Sequence, residues 1–546
     1  MKKLTKLFLS APAGGAGLGV AGLGGAVLAG AVLAGAVLGG AVLDGAQAAD
    51  LPTRKAAPVQ YVKICDAYGA GFFYIPGTDT CLRVGGQVLA QMRIQGASNP
   101  YSLNANLSGL MPAGGVLPGF GGFRPPNGLT RDSIGYDATA RLELDARTQT
   151  GWGTLRTFIR MTSTFGSGLN ATTGSYASLQ PAFAVGGWNG VGATTGKEFT
   201  FLDKAFIQFA GLTMGRVQSF FDFYTDNFNY ESLRGSNQNV WALAYTATFG
   251  GGFTGTLSIE DTQSHRGEVA NVVFRQGLFA PFNAAGVTMG ATAAAGRLPD
   301  IIANLRVDQP WGAAQFAAAL HPVRAALYSS ALTPGWPYAT TSTLGYAFSG
   351  GLRFNLDMLS KGDQLWLQAI YARGAIGYVA GGNMSFTASP NLTQNYGRGT
   401  GRISNSYGWA GGNDFDCVYT FAGRCDLSTA WAVTAAFKHY WAPTLSSALF
   451  GSYYKVNYSN AALAPMGLNG ALGAGVANYA ESRVGTNLVW TPVKGFDIGG
   501  EFTWVRGVTS RPVGLAPDAT LIAAGLPAFR SVTNGYYGKI RMVRAF

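Results

Sequence analysis

Polar and apolar residues trade places at every second position through most of RDSIGYDATARLELDARTQTGWGTLRTFIRM, the stretch from Arg131 to Met161. Ile134, Tyr136, Ala138, Ala140, Leu142, Leu144 and Ala146 share one parity; Arg131, Ser133, Asp137, Thr139, Arg141, Glu143, Asp145 and Arg147 share the other. Successive side chains leave a strand on opposite faces, so the pattern predicts a strand with one apolar and one ionised surface. After the turn at QTGWG, Leu155, Thr157, Ile159 and Met161 alternate with Thr154, Arg156, Phe158 and Arg160. A second strand of the same kind follows. Soluble sheets with one wet face and membrane barrels with a wet lumen both produce this pattern. Length separates them, because a tilted strand needs about 9 to 11 residues to cross hydrocarbon and soluble strands centre on about five or six. The first run sustains its alternation well beyond the soluble norm.

The unit recurs along the chain. Short turns such as TATFGGGFTG (Thr246 to Gly255), RVDQPWGAA (Arg306 to Ala314), YWAPTLS (Tyr440 to Ser446) and WTPVKGFD (Trp490 to Asp497) alternate with long stretches rich in Gly, Ser, Asn and Pro at 96–130, 163–197 and 378–424. Short turns at one end and long loops at the other are the asymmetry of an outer-membrane barrel. The predicted strands are 81–95, 131–148, 152–164, 199–210, 211–219, 240–249, 253–262, 298–308, 312–321, 342–356, 363–376, 428–441, 444–458, 477–490, 495–507 and 533–546. The expected fold is therefore all-β, a transmembrane antiparallel barrel of about sixteen strands with long extracellular loops. An arginine facing lipid costs roughly 2 to 4 kcal/mol at the midplane, so repeated arginines of one parity are expected to line the lumen, and about sixteen strands leave room for water. Arg216 and His439 fall on the apolar parity of their strands and call for a bulge, an interfacial position or a subunit contact.

Composition sharpens this picture. Charged residues make up 12% of the 546, about half the usual share, and the 79 glycines are about twice the usual frequency. The start, with Lys2, Lys3 and Lys6, leads through a long apolar and glycine-rich run to Ala46, Gln47 and Ala48, which reads as a secretory signal over 1–48 cleaved after Ala48; an uncleaved anchor is the alternative. The remaining organisation is expected to be a periplasmic-side segment over 49–80 with a disulfide hairpin and a barrel over 81–546. The net charge of +12 falls to +10 without the signal's three lysines and Asp44. Alternating arginines in an exported chain fit nucleic-acid binding badly. Four cysteines form two close pairs, Cys65 with Cys81 and Cys417 with Cys425, expected as local disulfides in an oxidising compartment rather than as metal sites. No cofactor is expected. GLGVAG (Gly17 to Gly22) matches a dinucleotide loop by spacing only, and GATTGKE (Gly192 to Glu198) departs from a phosphate loop in glycine spacing and in Glu198.

Several segments resemble the porins of alphaproteobacteria called type-two porins. YVKICDAYGAGFFYIPGTDTCLRVGG (Tyr61 to Gly86) is similar to that family's mature opening, LTMGRVQSFFDFYTDNFNYES (Leu212 to Ser232) to its strand and third loop, and VWTPVKGFDIGGEFTWV (Val489 to Val505) to its penultimate hairpin. The closing YYGKIRMVRAF ends on an aromatic, Phe546, which the resemblance implies is an assembly signal, although Arg544 breaks the usual apolar run. The resemblance implies a sixteen-stranded barrel, a homotrimer in outer-membrane lipid and lipopolysaccharide, built with the barrel-assembly machinery and passing small hydrophilic solutes and ions. It also implies a third loop, about Phe220 to Asn239, folded inward to narrow the pore. That loop would present Asp222, Asp226, Glu231 and Arg234 against a wall of Arg83, Arg93, Arg141, Arg147, Arg156 and Arg160.

The function expected is a general-diffusion porin acting as an electrostatic filter, with carboxylates opposed to arginines across a low-dielectric passage. The sign of its ion preference stays open. A substrate-specific channel is the nearest alternative. A plugged structural or adhesive barrel, with the aromatic Cys65–Cys81 loop in its mouth, and an outer-membrane enzyme are more distant, since His265, His321 and His439 are scattered without a partner motif. Trp431, Trp441, Trp490, Trp504, Tyr536 and Phe546 lie near strand ends, where aromatic rings favour the lipid interface.

Overall fold

The computed structural model describes residues 63–97, 134–168, 197–271, 289–294, 296–329, 337–380, 415–420, 424–463, 477–511, 513, 517–523, 528–529 and 531–546. The signal over 1–48, residues 49–62 of the 49–80 segment and GATTGKE up to Gly196 lie outside the described residues. Two compact units divide the chain at Gln60, and the second, Tyr61–Phe546, holds everything described below.

Sixteen strands close on themselves: β1 Thr80–Ala97, β2 Ile134–Thr150, β3 Gly153–Gly168, β4 Lys197–Phe209, β5 Leu212–Gln218, β6 Asn239–Gly250, β7 Phe253–Glu260, β8 Asp300–Gln309, β9 Gly312–Ser329, β10 Pro337–Asn355, β11 Gln364–Arg373, β12 Thr429–Ala442, β13 Leu445–Asn457, β14 Tyr479–Val493, β15 Phe496–Thr509 and β16 Val532–Ala545. Each is antiparallel to its neighbours, and β1 pairs with both β2 and β16 to shut the ring. Two short strands, Phe73–Tyr74 and Met289–Ala293, extend the sheet at β1 and β9 without adding staves. Every strand expected from the alternation is present. β9 and β10 run to 18 and 19 residues, beyond the expected 312–321 and 342–356.

The alternation is inverted relative to a soluble sheet. On β2, Leu142 is 45% exposed while Asp145, on the opposite parity, is 1% exposed. Val88, Ile94, Ile207, Met214, Leu257, Phe316, Leu352, Leu488 and Ile540 also stand exposed on the outside of the ring. Such an apolar exterior on a closed sheet is the surface that hydrocarbon solvates, and closure leaves no unpaired strand edge inside it. Trp441, Trp490, Tyr536 and Phe546 are on this exposed outer face near strand ends. The two off-parity residues have specific partners. His439 donates from Nδ1 to the Asp363 carboxylate at 2.6 Å, in the turn between β10 and β11, and Arg216 donates from Nε to the Asp203 carbonyl at 3.1 Å.

The seam is finished by the last residue. Phe546 exchanges backbone hydrogen bonds with Gly86 at 3.0 and 3.1 Å, and its ring covers the spot where Gly86 lacks a side chain. A Cβ at Gly86 would sit 2.2 Å from the Arg141 carbonyl oxygen. Both predicted disulfides are formed, Cys65 to Cys81 and Cys417 to Cys425.

Candidate functional site: the loop-lined lumen

Between β5 and β6 the chain turns into the barrel. Residues 219–238 form a loop whose ends are tied by the Ser219 amide donating to the Gln238 carbonyl at 2.9 Å. The loop leans on the inner faces of strands far apart in sequence. Glu260 accepts from the Ser219 hydroxyl at 2.7 Å and the Phe220 amide at 3.0 Å. Asn304 donates to the Phe220 carbonyl, and Gln315 to that of Asp222. Asn487 donates to the Phe228 carbonyl at 2.6 Å, and Glu501 accepts both the Tyr230 and Glu231 amides at 2.6 Å. Two wall glycines make this close approach possible: a Cβ at Gly351 would meet the Phe223 ring at 2.2 Å, and one at Gly499 the Tyr230 hydroxyl at 2.1 Å.

The four loop residues singled out from sequence are all on this loop, and their side chains are engaged in holding it. Asp222 accepts the Gln238 amide at 2.7 Å and is bonded by Gln218. Asp226, at φ +59°, a left-handed conformation that Asp tolerates better than most residues, accepts the Leu233 amide at 3.0 Å and the Asn229 and Asn237 side-chain amides at 2.8 and 3.0 Å. Glu231 is fully buried between Arg93 and Lys539, each at 2.9 Å. Arg234 is fully buried too. Its Nε and Nη2 grip the two Glu481 oxygens at 2.7 and 2.8 Å while Nη1 donates to the Ala380 carbonyl at 2.8 Å. Arg483 and the Tyr479 hydroxyl complete the shell of Glu481, at 2.6 and 2.7 Å.

Of the six wall arginines, Arg93 is thus joined to the loop, and the other five share the inner face of β1, β2 and β3. Arg147 and Arg156 both fork onto Asp145, with contacts of 2.8 to 3.1 Å. Arg160 donates to Glu143 at 2.8 Å and lies 3.6 Å from Asp203. These three side chains keep about a quarter of their surface open, Arg83 is exposed, and Arg141 is partly exposed. The opposite interior is packed shut: Ile302, Ala317, Tyr454, Glu481 and Arg483 are essentially inaccessible beneath the loop and the helical turn Gly377–Ala380. Further cations, not foreseen, stand on the loop's side of the interior, on β8, β10 and β12: Arg306 over Phe223, Arg353 over Trp366, and Lys438 over Phe228. Glu481, Arg483, Glu501 and Lys539 were missed as loop anchors. Their inward parity marks them in the sequence, but the partner each finds is not local.

A closed ring with hydrocarbon-compatible staves, polar inside and crossed by an inward loop, is accompanied by a family match: the porin subfamily model covers residues 50–521. The chain belongs to that family. This porin is a protein of the bacterial outer membrane and forms a diffusion channel across it. Porin Omp2b of Brucella suis is 28% identical over 274 residues, 49% of this chain and 59% of that relative. Porin Omp2b of Brucella suis biovar 1 is 27% identical over 392 residues, 67% of this chain and 92% of the relative. Among solved structures, the porin is similar to the outer membrane channel DcaP of Acinetobacter baumannii at 13% identity and a TM-score of 0.46, covering 86% of this chain and 99% of that one. The anion-selective porin from Comamonas acidovorans aligns at 9% identity and a TM-score of 0.38, over 86% and 100% of the two chains.

Proposed function

We propose that this porin is a general-diffusion pore in which residues 219–238 form the constriction and the arginines of β1, β2 and β3 form the facing wall. The observation that carries the reading is the uneven interior: one side is occupied by loop and buried anchors, while Arg147, Arg156 and Arg160 keep solvent access on the other. Cations border the remaining passage on both sides, and carboxylates such as Asp145 and Glu231 lie buried beneath them. Low-dielectric walls focus such a field, favouring small hydrophilic solutes that can orient in it. Asp222, Asp226, Glu231 and Arg234 act in this scheme chiefly by fixing the shape of the constriction.

The mature protein is proposed to lose residues 1–48, to meet lipopolysaccharide and the assembly machinery on its way into the membrane, and to work as a homotrimer. Arg216 supports the trimer: it shares the outward parity of Leu212 and Met214, and shelter from lipid by a second copy would remove a cost of roughly 2 to 4 kcal/mol. An enzyme is disfavoured. Ser236 and His265 do stand 3.2 Å apart, the spacing of a nucleophile and base, but both are completely buried where no solute reaches them. Purified protein in planar bilayers should give stepwise ohmic currents, and size-graded neutral sugars should show a sharp cut-off. Silent insertion would reject the reading.

A further inference from the structure

The segment before β1 does more than lead into the barrel. Residues 63–80 fold back as a hairpin, with the Cys65 amide donating to the Phe72 carbonyl at 3.0 Å and the Tyr74 amide to that of Lys63 at 2.8 Å. Cys81, where the disulfide fastens it, shares the inward parity of Arg83, Gln87, Gln91 and Arg93 on β1. The hairpin consequently lies against the inner wall at the end carrying the short turns, which is the periplasmic end of an outer-membrane barrel.

Its aromatic residues rest on the wall's guanidinium groups. The Phe72 ring, 3% exposed, has Arg147 at 4.9 Å and Arg83 at 5.4 Å from its centroid, and Arg147 is also 5.6 Å from the Tyr68 ring. The Tyr68 hydroxyl donates to Gln149 at 3.3 Å. Beneath, Asp145 is shared by Arg147 and Arg156, so three wall cations face one wall carboxylate. The hairpin itself brings Lys63, Asp66 and Asp79.

Resting on the channel reading above, we propose that the hairpin of residues 63–80, stapled by Cys65–Cys81, is a second selectivity element at the periplasmic mouth. It narrows the exit and uses Tyr68 and Phe72 to cover Arg147 and to rest on one side of Arg83, lowering the positive potential there. The loop of residues 219–238 and this hairpin are then two filters in series on one passage. Cation–aromatic contacts of this kind are individually modest, about 0.5 to 2 kcal/mol, so the covalent staple is what keeps the cover in place.

The test uses the full chain with Cys417→Ser and Cys425→Ser, so that Cys65–Cys81 is the remaining disulfide. Inserted channels then receive the water-soluble reductant TCEP. The expected result is a larger single-channel step, passage of neutral sugars that the oxidised channel excludes, and a reversal potential shifted toward anions, all restored by reoxidation. Tyr68→Ala with Phe72→Ala should shift the cut-off and the potential in the same directions without any reductant. Currents that keep their size, cut-off and potential under both treatments overturn the proposal while leaving the channel reading intact. An absence of current steps before any reduction would instead overturn the channel reading, and this proposal with it.

Discussion

Glu481→Gln is the sharpest perturbation of the constriction, because it preserves shape and removes only charge. The wild-type carboxylate receives four hydrogen bonds of 2.6 to 2.8 Å, two from Arg234, one from Arg483 and one from Tyr479. Both guanidinium groups and the carboxylate are wholly buried. The amide would remove the carboxylate charge that two buried cations share and turn one acceptor into a donor that faces N–H groups. Removing one partner of a buried pair costs about 3 to 5 kcal/mol, and at about 1.4 kcal/mol per tenfold the docking equilibrium constant of residues 232–238 should fall by two to three and a half orders of magnitude. The cost falls on the loop, since the ladder joining β13, β14 and β15 is made by backbone groups that the substitution leaves alone. The folded barrel should retain its heat-modifiable mobility in gels while single-channel currents become noisier, with larger substates, and the loop becomes open to protease. Glu481→Asp, which keeps the charge, should show a weaker form of the same phenotype. Quiet currents of wild-type size with an equally protected loop would refute the reasoning.

Three other outcomes are expected. Neutralising Arg141, Arg156 and Arg160 together should move the reversal potential toward cations, and an unchanged potential rejects their place on the solute path. Gly86→Val should block closure of the ring, because its Cβ would lie 2.2 Å from the Arg141 carbonyl oxygen; loss of the folded band is the readout, and a normally assembled barrel would contradict it. His265, in the segment after β7, stacks on the Tyr378 ring at 3.8 Å, and burial, aided by His321, pushes its imidazole down from 6.5 to about 3. A depressed value makes the linked stability complete above about 6.5 and progressively lost as the pH falls toward 3. Acid-induced protease sensitivity around residues 261–267 should therefore be blunted in His265→Phe, and superimposable pH profiles would count against it.

The staves were legible because lipid enforces a period of two, and the contrast is strongest where the inward side chains are ionised, as on β2. It fades where they are small. In GAAQFAAALHPVRAALYS alanine occupies both faces, so the extension of β9 to Ser329 leaves little trace in hydropathy. The site was legible as a segment and illegible as a set of contacts. Glu231 finds Arg93 from the first stave and Lys539 from the last, partners that only the closing of the ring brings together. His439 looked misplaced for the same reason: the residue that satisfies it, Asp363, lies 76 positions earlier, in a turn.

The off-centre passage separates two kinds of evolutionary freedom. Substitutions on the half of the interior that carries the anchors should be purged, because each anchor fixes the position of others across the ring. The partly open Arg147, Arg156 and Arg160 bond to carboxylates of neighbouring staves and not to the loop, so this strip can change with less disturbance to the constriction than the anchors can. Lineages adapting to new nutrients, or escaping a toxic solute, would be expected to accumulate changes there first, with the architecture left standing.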